Sequence, residues 1–232
     1  MLKVLNLYAG LGGNRKSWTN VQVTAVEMDA EIASIYKENF PQDEVIVGDA
    51  HAYLLAHYRE FDFIWSSPPC PSHSRIRQMA SKKGDYKEVY PDLKLYEEII
   101  FLQGFCGVPW VVENVRAYYT PLIKPRELHR HWFWANFPLS DFKTEHDVII
   151  KQVSSSTEVF GFSLKGKKLS KRKDQILRNC VNPALGLHIL ECAFKKKQQV
   201  LTTTDEAKAS GVETLRTPPT TEVVGIRAGD IL

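Results

Sequence analysis

Over its first 115 residues the chain alternates short apolar runs with helix-patterned stretches, and each run stops at residues able to do chemistry. Val4–Tyr8 ends in Ala9-Gly10-Leu11-Gly12-Gly13, and Val23–Val26 ends at Glu27. Val45–Val47 ends at Gly48-Asp49. Phe61–Trp65 runs into Ser66-Ser67-Pro68-Pro69-Cys70-Pro71, and Trp110-Val111-Val112 into Glu113-Asn114. Between the runs, Asp29 is placed to cap a helix over Ala30–Asn39 whose Ile32, Ile35 and Tyr36 share a face. His51–Tyr58 reads as a second helix. Leu95, Tyr96, Ile99, Ile100 and Leu102 make the stripe of a third. Such alternation predicts an α/β fold with a mainly parallel sheet and right-handed crossovers. Sheets of this kind bind ligands at the carboxyl ends of their strands, and Gly10, Gly12, Gly13, Glu27, Asp49, Cys70 and Glu113 all fall there.

Length and composition set the outer bounds. A chain of 232 residues suits one such domain with a small appendage. Apolar content of 44% and charged content of 25% are those of an ordinary globular protein. No apolar run approaches the roughly 20 residues that span a bilayer. The N-terminus enters a strand pattern at once, without the layout of a signal peptide, so a cytoplasmic protein is expected, inside a bacterial host cell. Cysteines 70, 106, 180 and 192 include no C-x-x-C pair, and neither a metal site nor a disulfide framework is expected. A monomer is expected.

Beyond residue 120 the pattern changes. Trp132-Phe133-Trp134 reads as a strand and Thr157–Phe162 as another. Lys165, Lys167, Lys168, Lys171, Arg172 and Lys173 put six positive charges into nine residues, a run suited to phosphates. Ala184–Phe194 is an amphipathic helix. After it the chain is polar and Thr-rich, with no core pattern. The expected organisation is a core over 1–136, a short region over 137–177, a C-terminal helix returning to the core over 178–194, and a polar tail over 195–232.

The strand ends combine into two functional groups. Glycines after the first strand let backbone approach a ligand closely. Glu27 can accept two ribose hydroxyls, and Asp49 an exocyclic amine. Together they describe a pocket for an adenosine-containing cofactor. Cys70 sits in a stiff proline turn, because each proline fixes its φ, and a nucleophile gains from being held still. Glu113, at a neighbouring strand end, can donate to a ring nitrogen while Cys70 adds to the same ring. That donation needs a protonated or proton-sharing carboxyl, which burial promotes. His73 stands three residues from Cys70, but no other signature of a Cys–His hydrolase accompanies it.

These residues resemble the DNA cytosine-C5 methyltransferase family, in its compact bacteriophage form. Leu7-Tyr8-Ala9-Gly10-Leu11-Gly12-Gly13 is similar to the family's cofactor motif, with Tyr8 where Phe is usual. Glu27 matches its ribose-binding acid and Asp49 its adenine-contacting acid. Pro68-Pro69-Cys70 resembles the nucleophile motif, with Pro71 in place of Gln. Glu113-Asn114-Val115 matches the E-N-V motif in full. Arg130 resembles the last arginine of Q-x-R-x-R, whose first two positions are here Arg126 and Leu128. Asn179-Cys180-Val181 looks like the late cofactor motif, with Arg178 replacing glycine.

The resemblance spans residues 1–194 and implies a Rossmann-like S-adenosylmethionine-dependent methyltransferase fold with a very small target-recognition insert. It implies S-adenosyl-L-methionine as cofactor, held by Tyr8, Gly10, Gly12, Gly13, Glu27, Met28, Asp49, Ala50, Pro69, Asn179 and Cys180. It implies double-stranded DNA as partner, with a base taken out of the stack, no metal and no membrane. Cys70, Glu113 and Arg130 are the implied catalytic residues. Arg75 and Arg77, just past the nucleophile, are candidates for flanking phosphates, alongside the basic stretch. Amino-methyltransferases of the same fold carry an aromatic residue after the two prolines, where this chain has Cys70. RNA as substrate, or a DNA-binding protein without turnover, are the alternative readings.

Overall fold

The computed structural model of the chain describes residues 1–143 and 160–195, apart from 163, 165, 168 and 171. Seven strands form one sheet in the order β3-β2-β1-β4-β5-β7-β6. They are β1 (Leu2–Leu7), β2 (Val21–Glu27), β3 (Glu44–Val47), β4 (Phe63–Ser66), β5 (Trp110–Val115), β6 (Arg126–Leu128) and β7 (His131–Ala135). The first five are parallel, and β7 and β6 are antiparallel additions at one side. The chain runs outward from β1 to β3, then returns to start β4 on the other flank of β1. That reversal is the topological switch point at which doubly wound sheets bind ligands. The architecture is a Rossmann-like α/β fold.

Register levels the functional edge. Leu7 pairs with Val26 and with Ser66, and Ser66 with Val112. One residue further along, Tyr8, Glu27, Ser67 and Glu113 therefore stand in a row across four strands. Alternation of side chains along each strand supplies the two covered faces. Val4, Val23, Ala25, Phe63, Trp65 and Val111 point to one side, Leu5, Leu7, Val26, Ile64 and Val112 to the other.

Helix α1 (Ala30–Asn39) packs its Ile32, Ala33, Ile35 and Tyr36 on the first face. Its cap is Asp29, whose Oδ1 accepts from Glu31 N at 3.0 Å and Ile32 N at 3.3 Å, worth about 1 kcal/mol. On the other face lie α2 (Ala50–His57), capped by Asp49, and α4 (Lys94–Phe105). The stripe expected for α4 needs one correction: Ile100 is 60% exposed, whereas Glu98 is fully buried. Glu98 faces the ends of β1 and β4, where three donors meet it.

Helix α3 (Arg75–Lys82), β6 and α5 (Lys173–Arg178) were not expected from the sequence. The last helix covers residues 183–195. It returns to the core through Leu185, Ile189 and Leu190, and Trp18 Nε1 donates to Gly186 O across it at 3.0 Å. Around it, Phe137, Leu139, Phe142, Phe160, Phe162, Leu164, Ile176 and Leu177 pack into the same core. The described part of 137–177 is thus a wall of the main domain. The strand expected over Thr157–Phe162 begins outside the described residues, and no strand is present at its described end. Met1–Lys195 forms one compact unit, and the tail beyond Lys195 lies outside the described residues. No described helix is long and apolar enough to cross a membrane.

Candidate active site

The glycine turn after β1 divides its glycines between two tasks. Gly10 has φ +54° and no heavy atom within 4 Å of where a Cβ would stand, so it faces open space. Its N–H donates to Glu27 Oε2 at 2.9 Å. Gly12 and Gly13 face protein. A Cβ on Gly12 would meet Phe40 Cε2 at 2.4 Å, and one on Gly13 would meet Val181 O at 2.5 Å. Below the turn, Arg15 is buried and grips Asp43 through Nε and Nη2 at 2.9 and 3.0 Å. The late motif reaches the turn through Cys180 and Val181. Cys180 is buried, its thiol pushed up to about 12 by burial, and it packs rather than presenting a ligand group. Asn179 is exposed beside it.

Glu27 holds two backbone amides, Gly10 N and Asp29 N, one on each carboxylate oxygen. This fixes the carboxylate at the strand end, half-buried, with lone pairs left on both oxygens. Asp49 is exposed, and both of its capping bonds, to His51 N at 2.8 Å and Ala52 N at 3.3 Å, use Oδ1. Oδ2 is the oxygen it offers outward. Met28 is 64% exposed next to Glu27 and gives an apolar surface between the two acids. Ala50 is buried under α2. An open glycine backbone, two acids and an apolar side chain along one edge fit an adenosine-containing ligand.

Tyr8 shows a group that sequence reading missed. Its hydroxyl donates to Glu98 Oε1, Ser66 Oγ donates to Glu98 Oε2 at 2.6 Å, and His51 Nδ1 lies 3.1 Å from Oε1. Burial first, and then the Glu98 charge, hold the Tyr8 phenol far above the usual tyrosine range. The hydroxyl that distinguishes Tyr8 from the family's Phe is therefore a fixed donor. No sequence signal marked Glu98, which sits in a helix among ordinary charged neighbours.

The proline turn is clipped to β5. Asn114 Nδ2 donates to Pro68 O at 2.9 Å in a buried bond, His73 N and Ser74 N donate to Cys70 O, and Ser74 bridges Ala117. Pro69 is exposed and Cys70 half-buried. Burial, and next the Glu113 carboxylate, push the Cys70 thiol up to about 11. Glu113 is buried, and His131 Nδ1 lies 2.5 Å from its Oε1. His131 opens β7 and turns toward Glu113. Arg130 is half-buried in the two-residue turn between Leu128 and His131, beside His129 at φ +56°.

Of the basic stretch, Lys167 pairs with Glu38 Oε2 at 2.5 Å, at the α1 end away from the active edge. Arg172 pairs with Asp174 at 2.9 Å, and Lys173 is exposed. Lys165, Lys168 and Lys171 lie outside the described residues. Arg75 and Arg77 lie near the nucleophile. Both stand on α3 directly after the nucleophile turn, with Arg75 Nε donating to Ala117 O at 2.9 Å.

Residues 2–100 match the family model described as C-5 cytosine-specific DNA methylase. This part of the chain is similar to the cytosine-C5 methylases. The cofactor of that family is S-adenosyl-L-methionine, and the edge built by Gly10, Glu27, Met28 and Asp49 fits it. Among curated proteins, the human tRNA (cytosine(38)-C(5))-methyltransferase is 34% identical over 82 residues, covering 32% of this chain and 21% of that protein. The bovine counterpart is 33% identical with the same coverage. The chain thus spans about a fifth of the length of these relatives. Among solved structures, a Spodoptera frugiperda DNMT2 mutant is 24% identical, covers 50% of this chain and 36% of its own, and has a TM-score of 0.36. A putative DNA modification methyltransferase encoded within an Escherichia coli prophage is 20% identical, with 52% and 34% covered and a TM-score of 0.36.

Proposed function

We propose that this cytosine-C5 methylase relative transfers a methyl group to C5 of cytosine in DNA, through a covalent bond between Cys70 and C6 of a base turned out of its stack. The observation that carries the reading is the Cys70–Glu113 pair. A thiol and a carboxyl stand at adjacent strand ends, near enough for the carboxylate to raise the thiol, and His131 holds that carboxylate.

S-adenosyl-L-methionine, bound along Gly10, Glu27, Met28 and Asp49, supplies an electrophilic methyl group. The residues of the chain make the cytosine able to accept it. Cytosine C5 is a poor nucleophile while the ring is aromatic. The Cys70 thiol gives its proton to the Glu113 carboxylate, which passes it to N3 as the sulfur bonds to C6; the C5–C6 double bond opens and its electron pair becomes available at C5. Once C5 carries the methyl group it loses its proton to water. The C6–S bond then breaks with its electron pair going to sulfur, the double bond re-forms, and the N3 proton returns through Glu113 to the Cys70 thiolate. Asn114 keeps the two ends in register through its bond to Pro68 O.

The test uses oligonucleotides containing 5-fluorocytosine, whose C5 substituent cannot leave as a cation. A stable adduct on the peptide containing Cys70, and loss of methyl transfer in Cys70→Ser with cofactor binding kept, are expected. Turnover by Cys70→Ser would overturn the covalent route. RNA is the second reading, favoured by the curated relatives, which are tRNA methyltransferases. Transfer of a labelled methyl group to RNA but not to DNA would select it.

A further inference from the structure

Beside the nucleophile turn lies a groove of about 230 Å³ that the transfer chemistry does not use. Pro71 and Ser74 form its inner side, Arg77 and Gln78 of α3 one wall, Val89 and Tyr118 the other. Pro71 follows Cys70 in the chain, so a group seated here is next to the base that Cys70 attacks.

Helix α3 has no buried residue. Ile76 is 78% exposed and Met79 59%, and in the following loop Tyr86 is 54% and Tyr90 96% exposed. Isolated apolar residues on a surface are ordinary. Here they are interleaved with Arg75, Arg77, Lys82, Lys83 and Lys87, against the acids Asp85, Glu88 and Asp92. Arg77 lies over the Tyr86 ring at 5.3 Å. Flat apolar walls, an amide and a cation are what a nucleobase and its phosphate require. A protein partner would meet the excess of cations without reward. A paired base would present only its edge, whereas Tyr118 and Pro71 offer surfaces to a ring face.

We propose that this groove binds an unpaired nucleobase adjacent to the target cytosine, so that the substrate is a single-stranded or looped segment of nucleic acid. The proposal rests on the cytosine methylation reading and narrows it: the polymer on either side of the target is open when bound. Tyr118 stacks on the neighbouring base, Gln78 reads its edge, and Arg77 takes the phosphate between neighbour and target.

The experiment measures binding of labelled single-stranded DNA and RNA oligonucleotides, each with one cytosine, to the full chain by fluorescence anisotropy. Each is compared with a version lacking the base on the 5′ or the 3′ side of the cytosine, and with the same strand annealed to its complement. Base stacking on an aromatic side chain predicts a loss of roughly five- to hundred-fold when the correct neighbour is removed. Annealing should weaken binding as well. In Tyr118→Ala or Gln78→Ala, removing the same base should cost little more, because the two losses are of one contact. Equal affinity for intact and abasic strands, or for single strand and duplex, would overturn the proposal. The 5-fluorocytosine adduct separates it from the underlying reading. An adduct without an abasic effect removes the groove's role only. An abasic effect without an adduct removes the transfer chemistry only.

Discussion

Cys70 should be a poor nucleophile in the ligand-free protein, and Glu113 should be part of the reason. Its thiol is pushed up to about 11, by burial first and by the Glu113 carboxylate second. A raised pKa favours the neutral thiol at every pH below it. At pH 8, about three units lower, roughly one molecule in a thousand carries the thiolate, against about a quarter for an unperturbed cysteine. Iodoacetamide reacts with the thiolate, so Cys70 should be alkylated some hundred-fold more slowly than a free thiol at that pH. The rate should climb about tenfold per pH unit until it levels near 11. Glu113→Gln removes the charge but keeps the shape, and should speed alkylation at pH 8 by roughly three- to ten-fold. The assay is mass spectrometry of the peptide containing Cys70 after timed alkylation, which separates it from Cys106, Cys180 and Cys192. A rate that levels off below pH 8, or one unaffected by Glu113→Gln, would refute the argument that the carboxylate faces the thiol.

Two further results are expected. Glu27→Ala and Asp49→Ala each remove an ionised acceptor and should weaken S-adenosylmethionine binding about tenfold or more in calorimetry, whereas Glu113→Gln should keep cofactor affinity and lose turnover. Gly12→Ala drives a Cβ to 2.4 Å from Phe40 and should lower thermal stability by roughly 1–3 kcal/mol or more. Gly10→Ala meets no atom but places alanine at φ +54°, so it should cost only the roughly 1–2 kcal/mol of that left-handed backbone while lowering cofactor affinity; Gly12→Ala carries a similar strain plus the clash, and equal melting temperatures for the two variants would contradict the division of the turn.

Strand ends could be read from the sequence because two signals coincide there: an apolar run stops, and a residue with chemistry follows. That is why the positions of Glu27, Asp49, Cys70 and Glu113 at strand ends were legible. The contacts that were not legible depend on which way a side chain points. Only strand alternation turns His131 toward Glu113. Glu98 looks like a solvated helix charge, yet it is fully buried while Ile100 is exposed. A composition stripe cannot show that three donors wait for a carboxylate. Gly10 and Gly12 are alike as letters, but only Gly10 faces open space. Helix α3 escaped because it buries nothing, and periodicity detects helices through the face they bury.

The packing of the glycine turn has a consequence for how the protein is made. Gly13 abuts Val181, and Trp18 reaches Gly186, 168 residues further along the chain. A segment made earlier is thus completed by one made 168 residues later. At synthesis rates of about 5–20 residues per second, the wait between them is on the order of ten to thirty seconds. Throughout that interval the turn lacks its backing wall, and the nascent chain carries a half-built pocket with Trp18 and Trp65 exposed beside it. Any factor that shelters nascent apolar surface would have its longest opportunity here, and a ribosome paused before residue 180 would display a protein already containing Cys70 and Glu113 but lacking the late wall of its cofactor pocket.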